Sequence, residues 1–211
     1  MAYAESMPSR TLSADPRAER VRTLLRTAAF DLAHERPVDE ITVGDLVARA
    51  GVSRQVFYRH FTDRDDAVAT AVTVAFAAAV ADIHGDARAR VTSLFDFAAE
   101  HRAMYRNVVP SAVTQRVVMA FRDELLPACE EIAAQGMRVV GPIADVAPDA
   151  VSRFLVGGFQ EVLRSWMEDP SPEDPASDLR ARVSAALDTV DALLRLPSPT
   201  NTTPEKGTHH G

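Results

Sequence analysis

A chain of 211 residues has room for one large domain or two small ones with a shared core, and 46% hydrophobic with 25% charged residues is the balance of an ordinary globular protein rather than a disordered or fibrous one. A net charge of −7 argues against a protein that coats nucleic acid in bulk. The single cysteine, Cys129, excludes an intrachain disulfide and fits a reducing compartment.

Nine glycines and many Ala-rich stretches favour helix throughout, and no alternating strand pattern or internal repeat interrupts it. Residues 1–14 are polar and aperiodic, which predicts a loose arm and no secretory signal. From Pro16 the apolar positions Val21, Leu24, Leu25, Ala28 and Leu32 repeat at helical spacing, and Pro37 ends that helix. In "ITVGDLVARAG" Thr42 and Asp45 form a capping-box-like start, Val43, Leu46, Val47 and Ala50 make the inward stripe, and Gly51 is placed to end the helix. Ser53 caps the next helix, expected over 54–60. Thr62 and Asp65 repeat the capping pattern ahead of a long helix over about 64–83.

Further helices are expected at about 86–101, 102–108, 111–136, 148–168 and 174–196, with Pro127 kinking or splitting the third of these. The stretches 141–148 and 168–177 read as loops. The tail from Pro197 is rich in Pro, Thr and Gly and is expected to be disordered. The longest weakly polar run, 67–81, is too short and too rich in Ala to span a bilayer, so the expected location is the cytoplasm, with no membrane partner.

The informative stretch is "AGVSRQVFYRHF", residues 50–61. On a helical wheel Val56, Phe57, His60 and Phe61 share one arc and Arg54, Gln55, Tyr58 and Arg59 the other. The outer arc presents groups that match duplex DNA. Arg forks onto guanine O6 and N7, Gln onto adenine N6 and N7, and Tyr or Ser bonds phosphate. Between Arg49 and Arg64 four arginines face one acid, Asp63, a local charge of +3 in an acidic chain. A short helix, a tight turn and a second short helix make helix-turn-helix geometry.

These residues resemble the TetR family (tetracycline-repressor-like regulators). "AAFDL" in the first helix, "ITVGDLVARAGVSRQVFYRHFTDRDDAV" through the next three, and the Phe-Tyr-x-His-Phe core carry the likeness, over about residues 17–66. The resemblance implies an all-α protein: a three-helix DNA-binding domain at 15–66, and a helical ligand-binding and dimerisation domain at 67–196. It implies a homodimer that binds a palindromic operator and represses until a small organic effector releases it. A transcriptional activator, or a DNA-bound organiser without a ligand, is the alternative, and an enzyme with an incidental DNA-binding motif the more distant one. The resemblance sets Thr42, Val43 and Gly44 against the DNA backbone, Arg54, Gln55 and Val56 at base edges, and Tyr58, His60 and Arg64 at phosphates. Arg59 lies at the rim of the reading surface. Val56 is open between packing and covering a thymine methyl. His60 is open between packing and bonding phosphate through its outer nitrogen.

The second half lacks a Ser-His-Asp set, an HExxH motif, a P-loop or a dinucleotide turn, so no catalytic residue and no cofactor is expected. The histidines are scattered, at 34, 60, 84, 101, 209 and 210, and no metal site is expected. Cys129, flanked by acids, reads as a small packed residue. Phe97, His101, Met104, Tyr105, Met119 and Phe121 combine rings and thioethers with a few polar groups, as organic-ligand pockets do, with Phe159 and Gln160 as further candidates. Val151, Leu155, Gly158 and Val162 share one helix face, and Val183, Val190 and Leu194 another; the resemblance makes these two helices the dimer interface.

Overall fold

The structure, a computed structural model, describes residues 16–194 except 82, 84, 143–144 and 170–173; the expected arm, the tail and His84 lie outside the described residues. It is all-α. Helix α1 spans Pro16–Glu35 and is followed by a 3-10 turn at Val38–Glu40. Then come α2 (Val43–Ala50), α3 (Arg54–Phe57) and α4 (Arg64–Ala81). After them follow α5 (Ala87–Glu100), α6 (Arg102–Val108), α7 (Thr114–Val140), α8 (Pro148–Glu168) and α9 (Pro175–Leu194). Among the described residues there is no strand, and no helix is long and apolar enough to cross a membrane.

The chain forms two compact units. One runs to Ala75 and takes in Ala103–Val117; the other comprises Phe76–Arg102 and the chain from Val118 onward. In the first unit α1 buries Leu25, Ala28, Ala29, Leu32 and Ala33. Leu24, expected in that stripe, is 44% exposed, because the contact face turns through the small alanines instead. Val38, Ile41, Leu46, Phe57 and Phe61 complete the core beneath the short helices. Asn107 joins the unit from far along the chain: its Nδ2 donates to the carbonyls of Ala33 (2.9 Å) and His34 (3.3 Å) at the end of α1. Those carbonyls have no helical partner of their own, so a side-chain donor is what they need.

The second unit is held by rings. Phe76 contacts Phe97 and Phe121 at 5.3 and 5.5 Å between centroids, and Phe95 contacts Phe121 and Phe159 at 5.4 and 6.0 Å. Trp166 is fully buried and its indole N–H donates to the Pro175 carbonyl at 3.0 Å, while the Arg102 guanidinium lies 4.9 Å from its ring centroid. Helices α5 and α9 are joined at their surface by Arg88 with Asp188 and Asp191, and by Arg180 with Asp96.

Three local expectations change. Pro127 sits inside one unbroken helix, α7, which neither splits there nor ends at 136 but runs on to Val140. Proline removes the bond to the Asp123 carbonyl; both residues are exposed, so water can replace it. The start of α4 is capped one residue later than expected: Asp63 Oδ1 accepts from Asp66 N (2.8 Å) and Asp66 Oδ2 from Thr62 N (3.1 Å). Asp65 is instead bonded by Arg64 Nε at 2.7 Å. Regular α geometry in α3 ends at Phe57, not at residue 60.

Candidate nucleic-acid interface

The first turn of α2 is fixed by a full capping box. Thr42 Oγ1 accepts from Asp45 N at 3.1 Å, and Asp45 Oδ2 accepts from the Thr42 N–H at 2.9 Å. The Thr42 hydroxyl proton also goes to Asp45 Oδ2, at 2.7 Å, and Arg36 reaches the same oxygen at 3.1 Å. These bonds, the Thr42 hydroxyl first, hold the Asp45 carboxyl below the usual carboxylate range. The hydroxyl hydrogen of Thr42 is therefore occupied, which leaves the backbone N–H groups of Val43 and Gly44 as the donors at this helix start. Both residues are half-buried.

Gly51 ends α2 with φ 65° and ψ 35°, left-handed values that suit glycine. Its N–H meets the Ala48 carbonyl at 3.3 Å and the Val52 N–H meets the Val47 carbonyl at 3.0 Å, which is the Schellman pattern. Ser53 Oγ then accepts from Val56 N at 3.3 Å and starts α3. Beyond Phe57 the chain tightens: Arg59 N bonds the Val56 carbonyl and His60 N the Phe57 carbonyl, both three residues back, before Phe61 N returns to Phe57.

This geometry separates anchors from presented groups. Phe57 is 0% exposed and Phe61 3%, with ring centroids 5.8 Å apart. Burying one such ring is worth about 1.5–3 kcal/mol, enough to hold a short helix that could not persist alone. Arg54, Gln55, Tyr58 and Arg59 all face solvent, Tyr58 with 58% of its surface. Among the described residues neither Arg54 nor Arg59 makes an ion pair, although most neighbouring arginines do: Arg36 with Asp45, Arg49 with Glu35 and Arg64 with Asp65. Val56 and His60 are half-buried at the base of the ridge.

Arg64 is the departure. Its guanidinium donates to the carbonyls of Asp39 (3.2 Å) and Ile41 (3.3 Å) and to Asp65, and approaches the Asp39 carboxylate at 3.4 Å. It ties the start of α4 to the turn ahead of α2, so its donors are directed into the protein rather than outward to a phosphate. Arg36 and Asn107, which brace the same unit, carry no local sequence signal, because their partners lie across a loop or more than 70 residues away.

In the second unit Phe97, Phe121 and Phe159 are buried in the ring cluster, with His101 half-buried at 4.3 Å from Phe97 and Gln160 half-buried on α8. Met119 is 43% exposed on α7. Met104 and Tyr105 are buried in the first unit, where burial pushes the Tyr105 phenol up. A cavity of about 300 Å³ lies elsewhere in the second unit, walled by Ile132, Val139, Leu187, Val190 and Leu194 with Arg88 and Asp191 at its polar side. Cys129 is buried, and burial followed by the neighbouring Glu130 charge pushes its thiol up to about 12.

Of the residues expected at a dimer interface, Leu155 and Val183 are buried within the chain, and Val151, Val162, Val190 and Leu194 are half-buried. Gly158 is exposed, and no atom stands within 4 Å of where its side chain would be; the same holds for Gly157. The open face of α8 therefore carries Phe154 (74% exposed), Gly157 and Gly158; it shares Gly158 with the stripe read from sequence and turns away from it toward Phe154 and Gly157.

Residues 25–69 match the family described as bacterial regulatory proteins, tetR family, and this segment is a tetR-type regulatory domain. Solved structures share the fold. A tetR-family transcriptional regulator from Streptomyces coelicolor is 20% identical, with 82% of this chain and 89% of that chain covered and a TM-score of 0.55. The transcriptional regulator FadR from Bacillus subtilis, solved with stearoyl-CoA, is 13% identical over 78% of this chain and 96% of its own, with a TM-score of 0.58. The dihydroxyacetone kinase operon activator DhaS is 14% identical over 82% and 97%, with a TM-score of 0.56. No curated protein matches this chain by sequence.

Proposed function

We propose that this chain, a transcriptional regulator by its tetR-type domain at residues 25–69, reads a palindromic operator as a homodimer and responds to a small organic effector. The observation that carries this is the ridge at 54–59. Four side chains with base- or phosphate-bonding chemistry face solvent there, two of them arginines without an ion pair among the described residues, on a support sealed by Phe57 and Phe61. In the major groove Arg54 and Gln55 would fork onto base edges and Val56 would lie against a thymine methyl. Tyr58, Arg59 and His60, with the backbone N–H groups of Val43 and Gly44, would fix register on phosphates. Thr42 and Arg64 act from behind: one holds the first turn of α2, the other joins that turn to α4.

A single two-turn reader discriminates poorly, and two readers one DNA turn apart discriminate well. The partner surface is the open α8 face around Phe154, Gly157 and Gly158, where a second copy can approach closely. The effector site belongs to the second unit, where an effector that parted the ring cluster would meet Phe97, Phe121 and Phe159 as apolar walls and His101 and Gln160 as polar groups. An effector shifts DNA affinity only by the difference in its own affinity for the two states. Repression is the direction taken here. One protein of similar fold is an operon activator, so reporter expression with the gene deleted is the measurement that fixes the sign.

The direct test is duplex binding by fluorescence anisotropy at moderate salt. The full chain should bind a selected palindrome, and Arg54→Ala and Tyr58→Ala should each weaken binding while keeping the same helical content. Retention of full affinity by both variants would remove the ridge from the interface. Sedimentation of Phe154→Arg should show monomer where the unaltered chain is dimer.

A further inference from the structure

Beside the reading ridge lies a gap that the sequence does not reveal. The Cβ of any side chain at position 44, in the first turn of α2, would stand 3.2 Å from Arg54 Nη2 and 3.3 Å from Thr42 Oγ1. Both distances are tighter than ordinary contact, so each neighbour must give a little, and the question is which can move far. Thr42 is held on its own side: its hydroxyl accepts from Asp45 N and donates to Asp45 Oδ2, and that carboxylate is held in turn by Arg36. Arg54 is exposed and has no ion pair among the described residues, and the positive end of the α2 dipole gives it no attraction. The neighbour that can swing clear is therefore Arg54, while Thr42 yields only within its capping box.

We propose that Gly44 is a specificity-determining residue that acts through Arg54: the bare backbone of α2 leaves the slot along which the Arg54 guanidinium lies, and so sets which base it reaches. This rests on the DNA-binding reading above. A planar fork must sit in one plane to bond guanine O6 and N7 together. With glycine at 44 the guanidinium can lie flat against the first turn of α2. A side chain there lifts it off, and the two-point contact becomes one-point or none. Gly44 thus touches no base edge with a side chain and still determines a base.

The experiment is selection of bound duplexes from a random pool by the full chain, by Gly44→Ala, Gly44→Leu and Arg54→Ala, and by the double variant Gly44→Leu/Arg54→Ala. Leucine has no donor of its own and is a good helix former, so it blocks the slot without adding a reader or breaking α2. The unaltered chain should favour guanine at one position of each half-site by about 5-fold or more, the range of a two-point arginine contact. Arg54→Ala should erase that preference. Gly44→Leu should erase it at the same position and leave the others in place, Gly44→Ala should weaken it, and the double variant should lose nothing further. Melting temperatures of the two Gly44 variants should equal or exceed that of the unaltered chain, which separates the effect from damage to the fold.

The proposal is overturned if Gly44→Leu keeps the guanine preference that Arg54→Ala removes, or weakens all sequences equally. Enrichment of no duplex by the unaltered chain would sink the DNA-binding reading itself, a result distinct from one in which the unaltered chain selects and only the coupling fails.

Discussion

Phe57 and Phe61 in the first unit are sealed beneath four residues that face water; Phe76, Phe95, Phe97, Phe121 and Phe159 in the second unit touch one another. In one place rings serve as a foundation for exposed polar groups, and in the other the rings are the whole construction. The capping bonds do not divide in this way. The starts of α2 and α3 are closed by side chains, Thr42 with Asp45 and then Ser53, and Gly51 is the left-handed stop of α2. In the second unit Asp86 closes the start of α5, accepting from Ala89 N at 2.8 Å, and Asp174 accepts from Ser177 N at the start of α9, whereas α8 begins at Ala147 ahead of Pro148 without a side-chain cap. Short helices need their ends satisfied because they have few internal bonds, and long helices draw their stability from the faces they bury.

The widest test of this contrast is to remove a ring where rings are the structure. Trp166→Ala deletes a fully buried indole and its bond to Pro175, and should cost about 3–5 kcal/mol in chemical denaturation. Next comes Arg54→Ala, which should cost about 1–3 kcal/mol of base discrimination in binding assays. Its stability should move by no more than about 0.5 kcal/mol, because the side chain is exposed and unpaired among the described residues. A loss of stability equal to that of Trp166→Ala would break the division between foundation and presented group.

Smaller effects sharpen it. Thr42→Ala opens the capping box and should cost about 1 kcal/mol by thermal unfolding, with α3 unaltered in length. The smallest is a pH effect on the same box. The Asp45 carboxyl is held below its usual range, first by the Thr42 hydroxyl and then by the Thr42 N–H and Arg36. A depressed folded-state value means the contribution is complete above the unfolded value, near 3.9, and is lost as pH falls through the lower folded value. The stability gap between the unaltered chain and Asp45→Asn should therefore be flat near neutrality and close in acid below about pH 4. A gap that persists unchanged in strong acid would show that the carboxylate charge plays no part.

The exposed ridge at 54–59 and its buried support were legible in the sequence because their signals are local. A cap and the residue it bonds are three positions apart, Gly51 is the residue a left-handed stop requires, and Phe57 and Phe61 fall on one side of the wheel from Tyr58 and Arg59. The directions of Arg64 and Thr42 were not legible. Each has the chemistry of a phosphate contact, and only three-dimensional placement turns Arg64 to the Asp39 and Ile41 carbonyls and commits the Thr42 proton to Asp45. In the second unit the periodicity gave the helices, but one apolar stripe looks like another. Leu155 and Val183 satisfy a dimer pattern and an internal packing pattern equally well, and the folded chain buries them itself. Phe154, which carries the open face, stands one position from Leu155 and falls off that stripe. The bracing of α1 by Asn107 had no local signal at all.

The tightened end of α3, with two successive bonds spanning three residues after Phe57, has a consequence for how this segment behaves in time. A segment this brief has no cooperative melting of its own. Its amides, from Phe57 to Phe61, should exchange with deuterium only when the surrounding unit opens, in step with the amides of α1. Sequence change can therefore act on the ridge from a distance, since whatever loosens the first unit also blurs the side chains that it holds up.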